Sequence, residues 1–327
     1  MSSLALSRCS ARRMISSKIL RDNVTRGRTI PVIYRRAISS STPASSSPTY
    51  VDQVQSVKTM DQVPAPKPTP KLSDSVFEMF SMKGKVAVVT GAGTGIGYQI
   101  CRAYAEAGAT VVLGYNSSAK AAEENAATIA KDFGVKTKAI QIPQADAEKV
   151  EQAIKSVAQE FGRLDVVVAN GGIGGSFDIA GASLEDWRKV NSVNYDGVFY
   201  LARVAGTIFK AQGFGNFIAT ASMSGHIVNI PKNQAAYNAG KAAVIHFCKS
   251  LAVEWKDFAR VNVVSPGFFD TKMGAGPEVL KTAHEMAVLG RQGDPRELKG
   301  IFLYLASDAS TFTTGSDIIV DGGYVLP

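Results

Sequence analysis

Tyr237 and Lys241 stand four residues apart in the segment Gln234-Ala235-Ala236-Tyr237-Asn238-Ala239-Gly240-Lys241. On a helix, that spacing puts a phenol and an ammonium on one face. A nearby ammonium favours the phenolate and lowers a phenol pKa of about 10 toward the operating pH. A phenol tuned in this way can give or take a proton at a reacting oxygen. The pair is common in proteins and specifies nothing alone. Just upstream, an apolar run at Asn216–Thr220 ends in Ala221-Ser222-Met223-Ser224-Gly225, which brings two hydroxyls, Ser222 and Ser224, within reach of Tyr237.

A second constellation lies near residue 90. Val86-Ala87-Val88-Val89-Thr90 reads as a strand and runs into Gly91-Ala92-Gly93-Thr94-Gly95-Ile96-Gly97, after which a helix begins. Glycines allow the tight turn and the close approach of a pyrophosphate, while the helix N-terminus offers free N–H groups and a positive dipole end. A Gly-rich loop set between strand and helix is the context that dinucleotide binding needs. The next strand, Thr110 to Gly114, ends in Tyr115-Asn116-Ser117-Ser118, with Lys120 close by. An acid there would bond a ribose 2′-hydroxyl and repel a 2′-phosphate. Its absence predicts NADP(H) in preference to NAD(H).

These residues need a frame to hold them. Lys85–Thr90, Ala109–Leu113, Thr137–Ile142, Leu164–Ala169, Asn216–Thr220, Val261–Ser265 and Asp317–Val320 read as strands. Helical segments are expected at Ile96–Ala107, Ala119–Phe133, Ala147–Phe161, Leu184–Ala211, Gln234–Asp257 and Arg296–Ala306. Alternation of this kind implies an α/β Rossmann fold: a seven-stranded parallel sheet with helices on both faces. Ligands bind beyond the carboxyl ends of such strands, where both constellations fall.

Charge divides the chain. Of its 36 basic and 28 acidic side chains, nine basic and one acidic lie within residues 1–50, leaving 27 of each for the rest. A neutral body argues against nucleic-acid binding, which needs a cationic face on the folded domain. No stretch has the ~20 continuous apolar residues of a membrane span. Three cysteines (Cys9, Cys101, Cys248) without paired spacing point to neither a disulfide framework nor a metal site. The Arg- and Ser-rich segment 1–38 has the composition of a mitochondrial transit peptide, with a cut expected near Ile38. Residues 39–72, punctuated by prolines, read as a linker. The domain is expected over 73–327.

Taken together, the motifs resemble the short-chain dehydrogenase/reductase family over about residues 80–327. They are the loop Thr90–Gly97, the turn Asn170-Gly171-Gly172, Asn194, Ser222, the pair Tyr237 and Lys241, the turn Pro266-Gly267 with Thr271, and a final Asp321-Gly322-Gly323. The resemblance implies a single-domain Rossmann fold and assigns roles. Tyr237 would exchange the proton. Lys241 would bond the nicotinamide ribose and depress the Tyr237 pKa. Ser222 would hold the substrate oxygen; it is chosen over Ser224 because Ser222 to Gly225 matches the family's Ser-x-x-Gly. Asn194 would anchor a relay water. Gly91, Gly93, Thr94, Gly95, Ile96, Gly97, Tyr115, Asn116, Ser117, Ser118, Asn170, Gly171, Pro266, Gly267 and Thr271, with Tyr237 and Lys241, would hold the cofactor. Where most members carry an adenine-binding Asp after the third strand, counting back from Val150 gives Pro143.

Within the family, Ser222–Pro231, Gln234–Asn238, Lys249–Trp255 and Asp257–Asn262 are similar to the fungal ketose reductases and polyol dehydrogenases of the mannitol 2-dehydrogenase, sorbose reductase and L-xylulose reductase type. That implies hydride transfer between NADP(H) and the C2 carbonyl or alcohol of a ketose/polyol pair. The partner is then a small molecule, and a homo-oligomer, dimer or tetramer, is implied through the long helices at Leu184–Ala211 and Gln234–Asp257. A lid is expected around Phe268–His284, with Phe268, Phe269 and Met273 walling the pocket and His226, Asn229 or His284 bonding sugar hydroxyls. Two alternatives stay open: a mitochondrial 3-oxoacyl-acyl-carrier-protein reductase and a non-catalytic dinucleotide-binding scaffold.

Overall fold

The computed structural model describes residues 67–327. The expected transit peptide, 1–38, and most of the expected linker, 39–72, lie outside the described residues. A short helix, α1 (Val76–Met79), is capped by Ser75, and the sheet follows. Its strands are β1 (Val86–Val89), β2 (Thr110–Tyr115), β3 (Thr137–Gln141), β4 (Val166–Ala169), β5 (Asn216–Thr220), β6 (Arg260–Pro266) and β7 (Asp317–Val320). All pair in parallel in the order β3-β2-β1-β4-β5-β6-β7. The four residues of β1 and of β4 are all buried, as expected for Val-rich strands covered on both faces.

Helices α2 (Gly95–Glu106), α3 (Ala119–Phe133), α4 (Ala147–Phe161), α5 (Leu184–Asn191), α6 (Gly197–Gln212), α7 (Ala235–Glu254), α8 (Pro277–Met286) and α9 (Lys299–Ala306) complete the chain. Two cores result, one on each face of the sheet. Tyr104, Ile100, Leu113 and Phe302 fill one. Phe209, Phe217, Leu201 and Trp255 fill the other. There the Trp255 ring meets Phe209 and Phe217 edge-on, with centroids 6.4 and 6.1 Å away. It reaches them only because residue 206 is glycine: a Cβ there would lie 2.5 Å from the indole.

The local chemistry of the elements agrees with their sequence. Asp146 accepts from Lys149 N at 3.1 Å and caps α4. Buried Asp165 accepts from Val86 N at 2.8 Å and from Arg163, tying the entry of β1 to that of β4. The expected helix over Leu184–Ala211 is one continuous helical run, but it is not α-helical throughout. A π-helical turn, Ser192–Asp196, separates α5 from α6. Hydrophobic periodicity does not register one inserted residue, whereas the tertiary demand on Asn194 described below does. Helix α8 also stands where only a lid loop was expected.

The order of strands reverses direction at β1, whose neighbours are β2 and β4. Chain connections leave to opposite sides there and open a crevice at the carboxyl ends. The Gly-rich loop follows β1 and Asn170 follows β4, so the fold delivers both to this switch point.

Candidate active site

Thr90, fully buried at the end of β1, organises the crevice. Its Oγ1 accepts from Asn170 N at 3.1 Å and Gly171 N at 3.0 Å. In return Asn170 Nδ2 donates to Thr90 O at 3.0 Å, and Asn170 Oδ1 accepts from Thr220 Oγ1 at 3.2 Å. Three strand ends are thereby stitched together. Above them, Gly91 turns at φ +63°, and a Cβ on Gly97 would lie 2.4 Å from Gly91 O and 2.7 Å from Asn170 Nδ2. Glycine at 97 is thus required by the close approach of protein backbone. Gly93 differs: a Cβ there would meet no atom within 4 Å, although the residue lines the cavity. The bare backbone there faces open space into which a ligand can approach.

That cavity, about 470 Å³, runs from the Gly-rich loop to Tyr237. It brings together every cofactor-binding residue expected from the sequence, from Gly91 to Thr271, with Ser222, Tyr237 and Lys241. Lys232, Lys241 and Lys272 line it and no Asp or Glu does. The N-terminus of α2 opens into it with no acid in its first turn. Amide donors, a helix dipole and cations without carboxylates fit a dinucleotide bearing several phosphates. Lys120, expected near the ribose, instead extends into solvent, 4.0 Å from Glu124. Pro143 does not line the cavity either. Its neighbour Gln144 is buried, and its Nε2 donates to Gly171 O at 3.0 Å and Val193 O at 3.2 Å, bracing the turn after β4. Among the described residues no cluster of three metal-ligating side chains occurs. A second groove of about 620 Å³, beneath Phe77 and Leu303, holds none of these groups.

At the chemical end, Ser222 leaves β5 in extended conformation. Its Oγ accepts from Ser224 N and donates to Ser224 Oγ, each at 3.1 Å. Of the two serines, Ser222 is the one whose hydroxyl acts on the Tyr237 phenol. Lys241 is buried, and its Nζ donates to Thr220 O at 2.8 Å while lying 5.6 Å from the Tyr237 ring centroid. Burial pulls its ammonium down to about 8. The expectation that Lys241 depresses the Tyr237 pKa is not met in this geometry. Burial pushes the phenol up, and the group opposing that push is the Ser222 hydroxyl. The cause is placement: the ammonium is held by the Thr220 carbonyl and faces the ring.

Asn194 is fully buried in the π turn but does not line the cavity. Its Oδ1 accepts from Ile173 N and its Nδ2 donates to Ile173 O, both at 2.8 Å. Both ends of the amide thus hold the loop after β4. π insertions commonly re-aim a side chain in this way. Gly172 lies between this amide and Lys241: a Cβ there would sit 3.1 Å from Asn194 Oδ1 and 3.7 Å from Lys241 Nζ.

The lid begins at Phe268 and Phe269. Phe269 is pinned against Gly293, whose N donates to Phe268 O at 2.9 Å and whose O accepts from Asp270 N at 2.9 Å. Phe268, Phe269 and Met273 line the cavity as expected. Of the three hydroxyl ligands anticipated, only Asn229 lines it. His226 is 2.8 Å from buried Asp317, and His284 is on α8 outside the lining. Sequence reasoning placed Thr90 in the Gly-rich motif without giving it a role, and assigned no role to Gln234 or Lys232. Gln234 sits one helical turn before Tyr237, and that spacing was a usable signal.

Several known proteins are similar to this chain. The family model described as enoyl-(acyl carrier protein) reductase matches residues 91–325. L-xylulose reductase of Hypocrea jecorina is 52% identical over 276 residues, 78% of this chain and 94% of that protein. The probable NADP-dependent mannitol dehydrogenase of Yarrowia lipolytica is 48% identical over 270 residues, 81% of this chain and 96% of its own. The crystal structure of NADPH-dependent 3-quinuclidinone reductase from Rhodotorula rubra superposes with a TM-score of 0.78 at 53% identity, covering 81% of this chain and 100% of that one.

Proposed function

The chain belongs to the short-chain dehydrogenase/reductase family, and from that premise we propose that it transfers a hydride between NADP(H) and the C2 carbonyl or alcohol of a ketose/polyol pair. One observation carries the reading: a single cavity joins a carboxylate-free, cationic cradle to Ser222, Tyr237 and Lys241. The names of the similar proteins supply the substrate class. NADP(H), when bound, supplies or accepts the hydride.

The chain's residues perform the remaining work. Ser222 donates a hydrogen bond to the carbonyl oxygen and polarises it. As the reacting carbon is reduced, Tyr237 delivers its proton to the oxygen, and in the reverse direction it takes that proton back. A phenol raised by burial stays protonated at neutral pH, as the reductive direction requires. Lys241, held by the Thr220 carbonyl at this end of the cavity, would bond the nicotinamide ribose. Asn194 fixes the loop at Ile173 that borders this end of the cavity. Alignment and pre-aimed donors for the developing alkoxide supply the rate enhancement. Tyr115, Asn116, Ser117 and Ser118 take the place of the acid that would repel a 2′-phosphate.

The deciding experiment is NADPH oxidation with fructose, sorbose, D- and L-xylulose, D-ribulose and an acetoacetyl thioester. Turnover of a ketose is expected. Turnover of the thioester alone would overturn the reading, and a tenfold advantage for NADH would overturn the cofactor preference. We further propose delivery to the mitochondrial matrix by cleavage near Ile38, which diffuse cytosolic fluorescence of the full-length protein would refute. A homo-oligomer, dimer or tetramer, is proposed from the exposed Leu184, Phe199 and Val253 on α5, α6 and α7. Light scattering at the mass of one chain would refute it.

A further inference from the structure

The cavity wall beside Ser222 carries two side-chain amides to which neither hydride nor proton transfer gives a task. We propose that Gln234 and Asn229 form a donor–acceptor pair that reads a hydroxyl on a carbon adjacent to the reacting carbonyl, and so selects hydroxy ketones over ketones without hydroxyls. The inference deepens the proposed ketose reaction and rests on it.

The pair is wired in a way that leaves one useful group on each amide. Gln234 Nε2 donates to Asn229 Oδ1 at 2.7 Å, to Asn238 Oδ1 at 3.0 Å and to Ser224 Oγ at 3.3 Å. These bonds occupy the Gln234 donor and the Asn229 acceptor. Gln234 Oε1 takes part in none of these bonds, the Asn229 Nδ2 group that acts on the Tyr324 hydroxyl keeps a second hydrogen, and both residues line the cavity. Asn229 is only 3% exposed. A hydroxyl donates and accepts at once, so a single one can satisfy the free acceptor and the free donor together.

Position fixes which hydroxyl is read. Ser224 Oγ accepts from both Ser222 Oγ and Gln234 Nε2. The amide pair therefore lies two hydrogen bonds from the serine that holds the reacting oxygen. The hydroxyl is accordingly assigned to a carbon beside the carbonyl rather than to the far end of a sugar chain. The pair is also backed by rigid packing. Tyr324 is buried with Met223, Ala283 and Ala287, its ring 5.5 Å from Phe268. The Asn229 side chain is the polar group that acts on its hydroxyl.

The test uses the ketose that the wild-type enzyme turns over fastest, with its 1-deoxy and 3-deoxy forms. A site built to bond a hydroxyl rejects the analogue lacking it. One of the two deoxy forms should lose about 10- to 100-fold in kcat/KM with the wild-type enzyme. In Asn229→Leu and Gln234→Leu that penalty should shrink to under about threefold. Gln234 is only part-buried at the start of α7, so Gln234→Leu decides the matter should Asn229→Leu fail to fold. A wild-type enzyme indifferent to both deletions, or a penalty that persists in the variants, would overturn the assignment. Turnover of no ketose at all would instead sink the proposed function.

Discussion

Replacing Lys241 by Met should make the cofactor-free protein more stable below pH 8 and less stable above about pH 10.5. The ammonium is 4% exposed and its pKa falls from 10.5 to about 8. At 1.36 kcal/mol per unit, keeping it charged in the fold costs about 3 kcal/mol at neutral pH. Met fills a similar volume without charge. It forfeits the 2.8 Å bond to Thr220 O, worth about 1 kcal/mol. The net gain is about 2 kcal/mol, or roughly 4–8 °C in Tm for a domain of this size. The sign follows from proton counting. Between pH 8 and 10.5 the unfolded chain still holds the Lys241 proton that the folded chain has released. The unfolded state binds more protons there, so wild-type stability from this group rises with pH. The variant's advantage is therefore complete below pH 8, narrows through that window and reverses beyond it by the lost Thr220 bond. Urea unfolding of both proteins from pH 7 to 10.5, without NADPH, measures the gap. A gap that stays constant with pH, or a wild type more stable at pH 7, would refute the reasoning. The same variant should lose turnover, because the costly charge is the one the reaction uses.

Four further outcomes are expected. Ser222→Ala should cut kcat on the order of 10²-fold or more, and Ser224→Ala should cut it less, since Ser222 is the serine whose hydroxyl acts on the Tyr237 phenol; the reverse order in steady-state rates would disprove the assignment. Gly93→Ala should leave Tm within about 2 °C and weaken NADPH binding at least about tenfold, a shift of 1.4 kcal/mol, read by nucleotide fluorescence. Gly97→Ala, whose Cβ would collide with Gly91 O, should destabilise the fold itself, by about 1–3 kcal/mol. Ser117→Asp should place a carboxylate among the residues expected at the 2′-phosphate and reverse the NADPH-to-NADH preference in kcat/KM; an unchanged ratio would move that subsite elsewhere.

Most of the frame was legible because it depends on short-range pattern. Val-rich runs such as Val86–Val89 can only be strands buried on both faces, and the amphipathic periods of Ala119–Phe133 and Ala147–Phe161 marked helices to the residue. The Gly-rich loop, Asn170, Ser222, Tyr237 and Lys241 could be picked out because each sits at a strand end or helix start that the parallel topology sends to one side. The π turn at Ser192–Asp196 and helix α8 were not legible. The first adds a single residue without disturbing hydrophobic period. The second packs Ala283 and Ala287 against Tyr324, a contact between distant parts of the chain.

The amino-acid sequence by itself therefore determined the fold class and the residue types that gather beyond the carboxyl ends of the strands, because these follow from periodicity and from the alternation of strands and helices. Only the tertiary structure decided what each group is able to do there. It turned the Lys241 ammonium to the Thr220 carbonyl, spent Asn194 on Ile173 and His226 on Asp317, and left Asn229 and Gln234 facing the cavity. Protonation and free hydrogen-bonding capacity depend on burial and on partners within about 3 Å. Those partners come from strands and loops dozens of residues apart, and no local pattern encodes them.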